Sequence, residues 1–323
     1  MTLSESDILP IAQALKFDPE MVEKVVHLLN LLNMLNAHPF LKGKWTLKGG
    51  TALNLFVFNL PRLSVDIGLN YMGALDRDGM LQERPKIEQA AQAVFSREGF
   101  ILRRIPKYHA GGKWMLRYQS FTGRSGNLEV DMNFMFRQPL WQIQRTNSIQ
   151  LGSYRARGIP ILDIHELAAG KIAALLSRVQ ARDLFDCHRI LTMLNLDKNL
   201  LRIGFVAYGG MNRKDWRTVS IEDVEFDPAE LAKQLLPTLR GVARSNDESP
   251  EQYGERLVAQ CRSGLSGLLA FTEYEREFLD RLLDEGRIDA SLLTEDAALK
   301  QRIESHPLLE WKALNVRRHK GLS

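Results

Sequence analysis

Residues 45–71 read WTLKGGTALNLFVFNLPRLSVDIGLNY, and this stretch decides the fold class. Residues 45–47 predict a short strand that runs into a turn at Lys48-Gly49-Gly50-Thr51, and residues 52–59 predict a buried helix that ends before Pro61. Residues 63–69 then alternate apolar and small side chains, which is typical of a strand. A strand, a glycine turn, a helix and a second strand in such close succession indicate a mixed α/β fold.

The rest of the chain extends this pattern in both directions. Helical spacing of apolar residues predicts one or two helices over 7–36 and another over 84–98, and alternation predicts strands over 103–105, 114–119 and 128–134. Residues 163–194 predict one helical region, which Asp163 opens with Glu166 three residues on, as in a capping box. Residues 209–227 read as a linker, and the sequence from residue 228 onward is helical. We therefore expect an α/β (α+β) domain over 1–195, with a mixed sheet and flanking helices, and a mainly helical domain over 196–323.

Composition narrows the class of protein. The 323 residues are 45% hydrophobic and 25% charged, which is ordinary for a globular chain, and two cysteines are too few for a disulfide framework. Neither a signal peptide nor an apolar run long enough to cross a bilayer is evident, so we expect a cytoplasmic protein without a membrane partner. The net charge is only +4, but residues 101–190 carry 14 Lys and Arg against six Asp and Glu. Such clustered positive charge indicates an anionic partner such as a phosphate, a nucleotide or a nucleic acid.

Three short segments carry residue types suited to phosphate chemistry. The Gly49-Gly50 turn would let backbone amides approach a phosphate closely at the start of a helix. Asp66 lies in an apolar strand, where a carboxylate is costly unless it is paired or binds a metal. Alternation over 128–134 places Glu129, Asp131 and Asn133 on one face of that strand, and this polar face either faces solvent or has a functional role.

A stripe of cationic residues is the remaining candidate for binding phosphate. If residues 163–194 form a single helix, Lys171, Arg178 and Arg182 lie on one line and Asp186 lies about 60° away. The stripe is either a salt-bridged surface or a grip for a triphosphate. The pair His165-Glu166 begins like a zinc-protease helix, but position 169 is alanine, so that metal site fails.

Together these segments resemble the AbiEii/AbiGii toxin family, whose members are nucleotidyltransferase-like toxins of type IV toxin–antitoxin and abortive-infection systems. The resemblance covers about residues 41–194 and rests on short motifs in the same order: KGGTAL at 48–53, RLSVD at 62–66, EVD at 129–131, Gly170-Lys171 and RDLFD at 182–186. It implies a Mg²⁺-dependent enzyme that uses an NTP, modifies RNA such as the tRNA acceptor end, and has a cognate antitoxin.

The resemblance also implies roles for individual residues. It implies a metal site at Asp66 and Asp131, and catalytic roles at Asp66, position 68, Lys171, Asp183 and Asp186. It implies nucleotide binding by Lys48, Gly49, Gly50, Thr51, Lys171 and Arg182, and the cationic stripe adds Arg178 to this set. Hard carboxylate oxygens suit Mg²⁺, and two such ions clamp the attacking and leaving oxygens of an in-line displacement.

One position departs from the family pattern. Where the family has a second aspartate two residues after the first, this chain has Gly68, which supplies no metal ligand. The chain is therefore predicted to be impaired, either as a natural relative or through replacement of that residue. Two alternatives stay open: the acceptor is a protein or a small molecule, or the chain binds nucleotide or RNA without catalysis.

Overall fold

A seven-stranded mixed sheet forms the centre of one part of the chain in the computed structural model, which describes residues 3–104, 111–240 and 248–321. The order of the described strands is β3-β4-β5-β2-β1-β7-β6. Strand β2 pairs in parallel with β5, and β1 with β7, whereas the other neighbours are antiparallel. The strands are β1 (Trp45–Lys48), β2 (Asp66–Tyr71), β3 (Ile101–Arg104), β4 (Gly111–Gln119), β5 (Ser125–Asn133), β6 (Gln144–Thr146) and β7 (Ile159–Ile161).

The core of this unit lies on one face of the sheet. Apolar residues alternate along β4 and β5, and Trp114, Leu116, Leu128, Val130 and Met132 are each at most 2% exposed. Helix α2 packs against β5 and α4 packs against β3. The helices of this unit are α1 (Glu5–Leu15), α2 (Pro19–Ala37), α3 (Gly49–Ala52) and α4 (Arg77–Arg97). Apart from Gly111 and Met115, the intervening residues of β4 and β5 are polar. They face the opposite side of the sheet, which leaves that side for a site.

The contacts divide the chain into two units. The first comprises Met1–Arg137, Ile143–Leu162 and Leu236–Ser245, and the second comprises Gln138–Gln142, Asp163–Leu235 and Asn246–Ser323. These units are groups of residues in contact, and the predicted domains at 1–195 and 196–323 stay a prediction. The mixed sheet with flanking helices, followed by helical sequence, confirms the predicted fold class.

The second unit is helical. The break between α5 and α6 corrects the prediction of one helical region over 163–194. Residues 209 and 210 are also not a linker, because they form the last turn of a helix, α7. The helices are α5 (Ile164–Leu175), α6 (Ala181–Met193), α7 (Lys198–Gly210), α8 (Pro228–Glu230), α9 (Pro250–Leu269), α10 (Glu273–Asp280), α11 (Ala297–Glu304) and α12 (Pro307–Lys320). None of the helices in the described ranges has the length and apolar character that crossing a bilayer requires.

Three predicted boundaries in the first unit also shift. The strand expected at 63–69 is β2 at Asp66–Tyr71, because pairing with β5 starts at Asp66 and the Leu63 amide bonds instead to the Thr238 carbonyl. The helix expected at 52–59 begins already at Gly49 and continues as a π-helical turn at Leu53–Val57. Helix α4 begins at Arg77 rather than residue 84, because the Asp76 side chain caps it by accepting a hydrogen bond from the Gly79 amide. Ile105, the end of another predicted strand, lies outside the described residues.

Candidate active site

The register of the sheet brings the predicted residues of the first unit together. Lys48 in β1 lies opposite Gly68 in β2, Gly68 lies opposite Asp131 in β5, and Asp131 lies opposite Lys113 in β4. Residues that pair across neighbouring strands present their side chains on the same face. One row across four strands therefore carries Lys48, Asp131 and Lys113.

A second row lies two residues along the strands. Asp66 in β2 pairs with Glu129 in β5, and Glu129 pairs with Met115 in β4. Since side chains repeat every two residues along a strand, both rows lie on the same face. The face thus carries three carboxylates, from Asp66, Glu129 and Asp131, as the alternation over 128–134 predicts. We refer to these three residues as the carboxylate face.

The glycine turn follows directly after Lys48. Gly49 has a φ of +73°, in the left-handed region that favours glycine, and it starts α3. The buried Thr51 hydroxyl donates to the Asp66 carbonyl oxygen and lies 2.9 Å from the Ser64 hydroxyl. The Asn54 side-chain amide donates to the Gly50 carbonyl oxygen at 2.9 Å. The Thr51 side chain thus fixes the turn against the start of β2.

The Lys48 side chain covers the backbone at Gly68. A Cβ atom at position 68 would lie 3.5 Å from Lys48 Cγ and 3.7 Å from Lys48 Cε, which is ordinary van der Waals contact. The Lys48 ammonium lies 5.6 Å from the centre of the Phe136 ring. A side chain at position 68 is therefore compatible with the backbone, and glycine is not required there for space.

Lys113 was not among the residues predicted from the sequence. Its Nζ donates to Glu129 Oε2 at 2.8 Å, and this hydrogen bond raises the pKa of Lys113, with further contributions from the charges of Glu129, Asp66 and Asp131. The alternation of β4 places Lys113 and Met115 on one face. Nothing in the local pattern indicates which face of the sheet that is or which residue of β5 lies opposite.

The carboxylate face has the donor chemistry that suits a divalent cation, but not a complete set for two. Asp66 and Asp131 offer hard oxygen ligands on neighbouring strands, which fits one Mg²⁺ ion. Position 68 has no side chain, and the Glu129 carboxylate is bonded to Lys113. In the described parts of the chain, no group of three or more His, Cys, Asp or Glu side chains is arranged to hold a metal ion.

The second unit brings together another set of predicted residues. Lys171 Nζ lies 2.7 Å from Asp183 Oδ1 and 3.0 Å from Asp186 Oδ2, and all three side chains are at least nine-tenths buried. Arg178 Nε donates to Asp183 Oδ2 at 2.8 Å, but the Arg178 side chain is 56% exposed. Burial raises the pKa of Asp183, but the charges of Lys171 and Arg178 outweigh burial, so that its pKa lies below the usual value.

This arrangement corrects the predicted stripe. Lys171 lies on α5, Arg182 lies on α6, and Arg178 lies in the connection between the two helices, so they do not form one line. In a continuous helix Lys171 and Asp183 would lie about 18 Å apart along the axis, too far for an ion pair. The break in the helix lets α6 fold back, so that its two carboxylates reach the buried ammonium.

Comparisons with known proteins identify the family and the fold of the chain. Residues 30–259 match the family model described as nucleotidyl transferase AbiEii toxin of the type IV toxin–antitoxin system. The solved structure of MenT4, a nucleotidyltransferase toxin from Mycobacterium tuberculosis, is similar with a TM-score of 0.64 at 19% identity, covering 95% of this chain and 99% of that one. No curated protein sequence matches. The likeness to MenT4 shows the fold, and the family match spans well over half of the chain, so the chain belongs to the AbiEii family of nucleotidyltransferase toxins.

Proposed function

We propose that this chain has the site of a toxin that transfers a nucleotidyl group from an NTP to RNA, with the tRNA acceptor end as the candidate acceptor, and so blocks translation and growth. We propose further that its own transfer is impaired, because Gly68 replaces the second aspartate of the family pattern. The observation that carries the proposal is the sheet register. It sets Asp66 and Asp131 on one face of two neighbouring parallel strands, next to the turn that follows Lys48. This is an arrangement of oxygen ligands and phosphate-binding amides that the reaction can use.

In the proposed reaction an RNA hydroxyl oxygen attacks the α-phosphorus in line with the leaving group. The new bond joins that oxygen to phosphorus, the bond from phosphorus to the bridging oxygen breaks, pyrophosphate leaves and the hydroxyl proton passes to solvent. Asp66 and Asp131 would hold a Mg²⁺ ion, which polarises a phosphate oxygen when bound. Lys48 and the backbone amides of residues 49–51 would bind the phosphates.

The predicted roles of the second unit's residues remain part of this proposal. Lys171, Arg178 and Arg182 are proposed to bind the triphosphate, and Asp183 and Asp186 are proposed to act with Lys171. Asp183 and Asp186 hold the Lys171 ammonium in place, so its position is defined before any nucleotide arrives.

The charge distribution supports RNA as the acceptor. Residues 101–190 carry the excess of Lys and Arg, and contacts with phosphates supply most of the affinity of proteins for nucleic acids. Membership of a toxin–antitoxin family implies an antitoxin partner and a nucleotide substrate. We place the activity in the cytoplasm, because tRNA is used there.

Replacing Gly68 tests the proposal. Gly68→Asp restores a second carboxylate two residues after Asp66, at a position where a Cβ atom meets only ordinary contacts. A carboxylate pair holds two Mg²⁺ ions about 3.5–4 Å apart, so Gly68→Asp is expected to raise nucleotidyl transfer by at least about 100-fold. The measurement is transfer from each α-labelled NTP to total tRNA.

Gly68→Ala is the matched control, because it adds the Cβ atom without the carboxylate, and it should transfer no faster than the parent chain. Adding Asp66→Asn to Gly68→Asp should abolish the gain. If Gly68→Asp transfers nothing from any NTP to RNA yet labels a protein, the acceptor proposed here is wrong. If it labels nothing but binds nucleotide or RNA, the chain acts by binding without catalysis, and the proposed reaction is wrong.

A further inference from the structure

A lysine of the same sheet, Lys113 of β4, lies beside the carboxylate face. Lys113 pairs with Asp131 in the strand register, and its ammonium bonds to the neighbouring carboxylate of Glu129 at 2.8 Å. The Lys113 side chain is 59% exposed and that of Glu129 is 32% exposed, so solvent and ions reach both groups. The ion pair therefore lies where a dissolved cation can compete with it.

Glu129 is also the carboxylate best placed to replace the missing ligand. Position 68 supplies no oxygen, and Glu129 lies directly opposite Asp66 on the neighbouring strand. Strands in a sheet lie about 4.8 Å apart, which is within the reach of a glutamate side chain. A divalent cation held by Asp66 could therefore recruit Glu129, provided that Glu129 leaves Lys113.

We propose that Lys113 competes with a divalent cation for Glu129 and thereby sets the cation affinity of the carboxylate face. The Lys113 ammonium is bonded to one of the three carboxylates, Glu129. Its positive charge also reduces the attraction of the carboxylate face for a dissolved cation. Lys113 acts through Glu129 in this proposal and is a positioning residue. The inference rests on the proposed function in one respect, namely that the carboxylate face is the metal site.

The same strand provides a matched control. Arg117 lies four residues after Lys113 on β4 and therefore on the same face of the sheet. Its guanidinium donates to the Ser125 hydroxyl through Nε at 2.6 Å, rather than to the carboxylate face. Removing the Arg117 charge changes the net charge of the chain by the same amount as removing that of Lys113, but leaves Glu129 paired.

The test is equilibrium binding of Mn²⁺, a stand-in for Mg²⁺, to the full chain without nucleotide or RNA, followed by electron paramagnetic resonance and by calorimetry. Lys113→Met should bind Mn²⁺ at least about fivefold more tightly, equivalent to about 1 kcal/mol. Lys113→Arg should bind like the parent chain, and Arg117→Met should change the affinity less than about twofold, because exposed charges are screened. Unchanged or weaker binding by Lys113→Met overturns the proposal.

A double-mutant cycle separates competition for Glu129 from a general effect of charge. In a Glu129→Gln background, Lys113→Met should no longer tighten Mn²⁺ binding, and a gain that persists in full contradicts the proposal. The assay needs no transfer, so the two proposals can fail separately. Tighter binding by Lys113→Met without transfer by Gly68→Asp leaves this inference standing alone, whereas transfer with unchanged Mn²⁺ binding leaves only the proposed function.

Discussion

At the scale of single residues, Glu166 shows how burial overrides a local motif. The sequence around Asp163 predicts a capping box, and Asp163 does cap α5 by accepting from the His165 amide. Glu166 instead turns inward and is 2% exposed. It accepts from the Leu140 amide at 3.0 Å and from the Tyr208 hydroxyl at 2.9 Å. A buried carboxylate needs such donors more than a helix end needs a second cap.

This environment predicts a pH-dependent stability. Burial raises the pKa of Glu166 from 4.5 to about 7, although its hydrogen bonds partly oppose the rise. The folded chain then binds more protons than the unfolded chain between these values. Protonated Glu166 therefore contributes fully to the free energy of unfolding below pH 4.5, and this contribution is lost as the pH rises to about 7. The shift is equivalent to about 3 kcal/mol in the free energy of unfolding.

Glu166→Gln tests this expectation, because glutamine is neutral at every pH and can accept from Leu140 and donate to the Tyr208 oxygen. Urea unfolding of the parent chain and of Glu166→Gln should give a difference in free energy that grows in favour of Glu166→Gln from pH 4.5 to 7. Glu222→Gln, which removes an exposed carboxylate, is the control. A difference that stays constant over this range contradicts the raised pKa.

At the scale of elements, buried charge joins α5 to α6. A lysine on one helix meets two carboxylates on the other, and none of the three side chains is more than 9% exposed. Removing one partner of a buried ion pair leaves an uncompensated charge, which is much more costly than losing an exposed pair. The network therefore stabilises the packing of α6 against α5 once the helix has ended at Leu175.

We predict that Lys171→Met lowers the free energy of unfolding by about 3–5 kcal/mol, because it leaves Asp183 and Asp186 without the ammonium. Arg178→Met, at an exposed side chain that shares Asp183, should cost less than about 1 kcal/mol. Chemical denaturation of the two variants checks both values. Equal costs would mean that the buried network does not hold the two helices together.

At the scale of the whole molecule, the excess of positive charge belongs to several separate elements. In the first unit, Arg145 lies on β6, and Arg155 and Arg157 lie on the segment that leads into β7; all three are exposed. Asn33 of α2 accepts from the Arg157 amide at 2.9 Å, which holds this segment against the helix. Lys107, another cation of the excess, lies outside the described residues. A fixed set of exposed arginines at the β6 edge of the sheet is suited to bind phosphates.

RNA binding should therefore depend on salt and on this edge. The logarithm of the association constant should fall linearly with the logarithm of salt concentration, and replacing Arg145, Arg155 and Arg157 by glutamate should reduce the slope by about two. The same replacements at Arg276, Arg287 and Arg318, exposed arginines of the second unit, are the control for net charge. A flat response to salt, or equal slopes in both triple variants, would contradict RNA as the acceptor.

Local sequence patterns are enough to indicate the chemical groups of the candidate site. The glycine turn after Lys48, the aspartate in an apolar strand and the alternation around Asp131 are local patterns, encoded within a few residues. With the motifs at 170–171 and 182–186 they predict the mixed sheet and the family resemblance, and the resemblance implies the two aspartates proposed to bind metal. The glycine at position 68 is equally local, and its departure from the family pattern needs no structure to be seen.

Only the tertiary structure decided which of these groups meet. The pairing of Lys113 with Asp131, the ion pair of Lys113 with Glu129 and the two carboxylates around Lys171 each join different strands or helices. Strand register and helix breaks depend on packing between distant segments, because a strand shifted by two residues keeps its alternation but changes every partner. A local pattern fixes the face on which a side chain lies, and long-range packing fixes its neighbour.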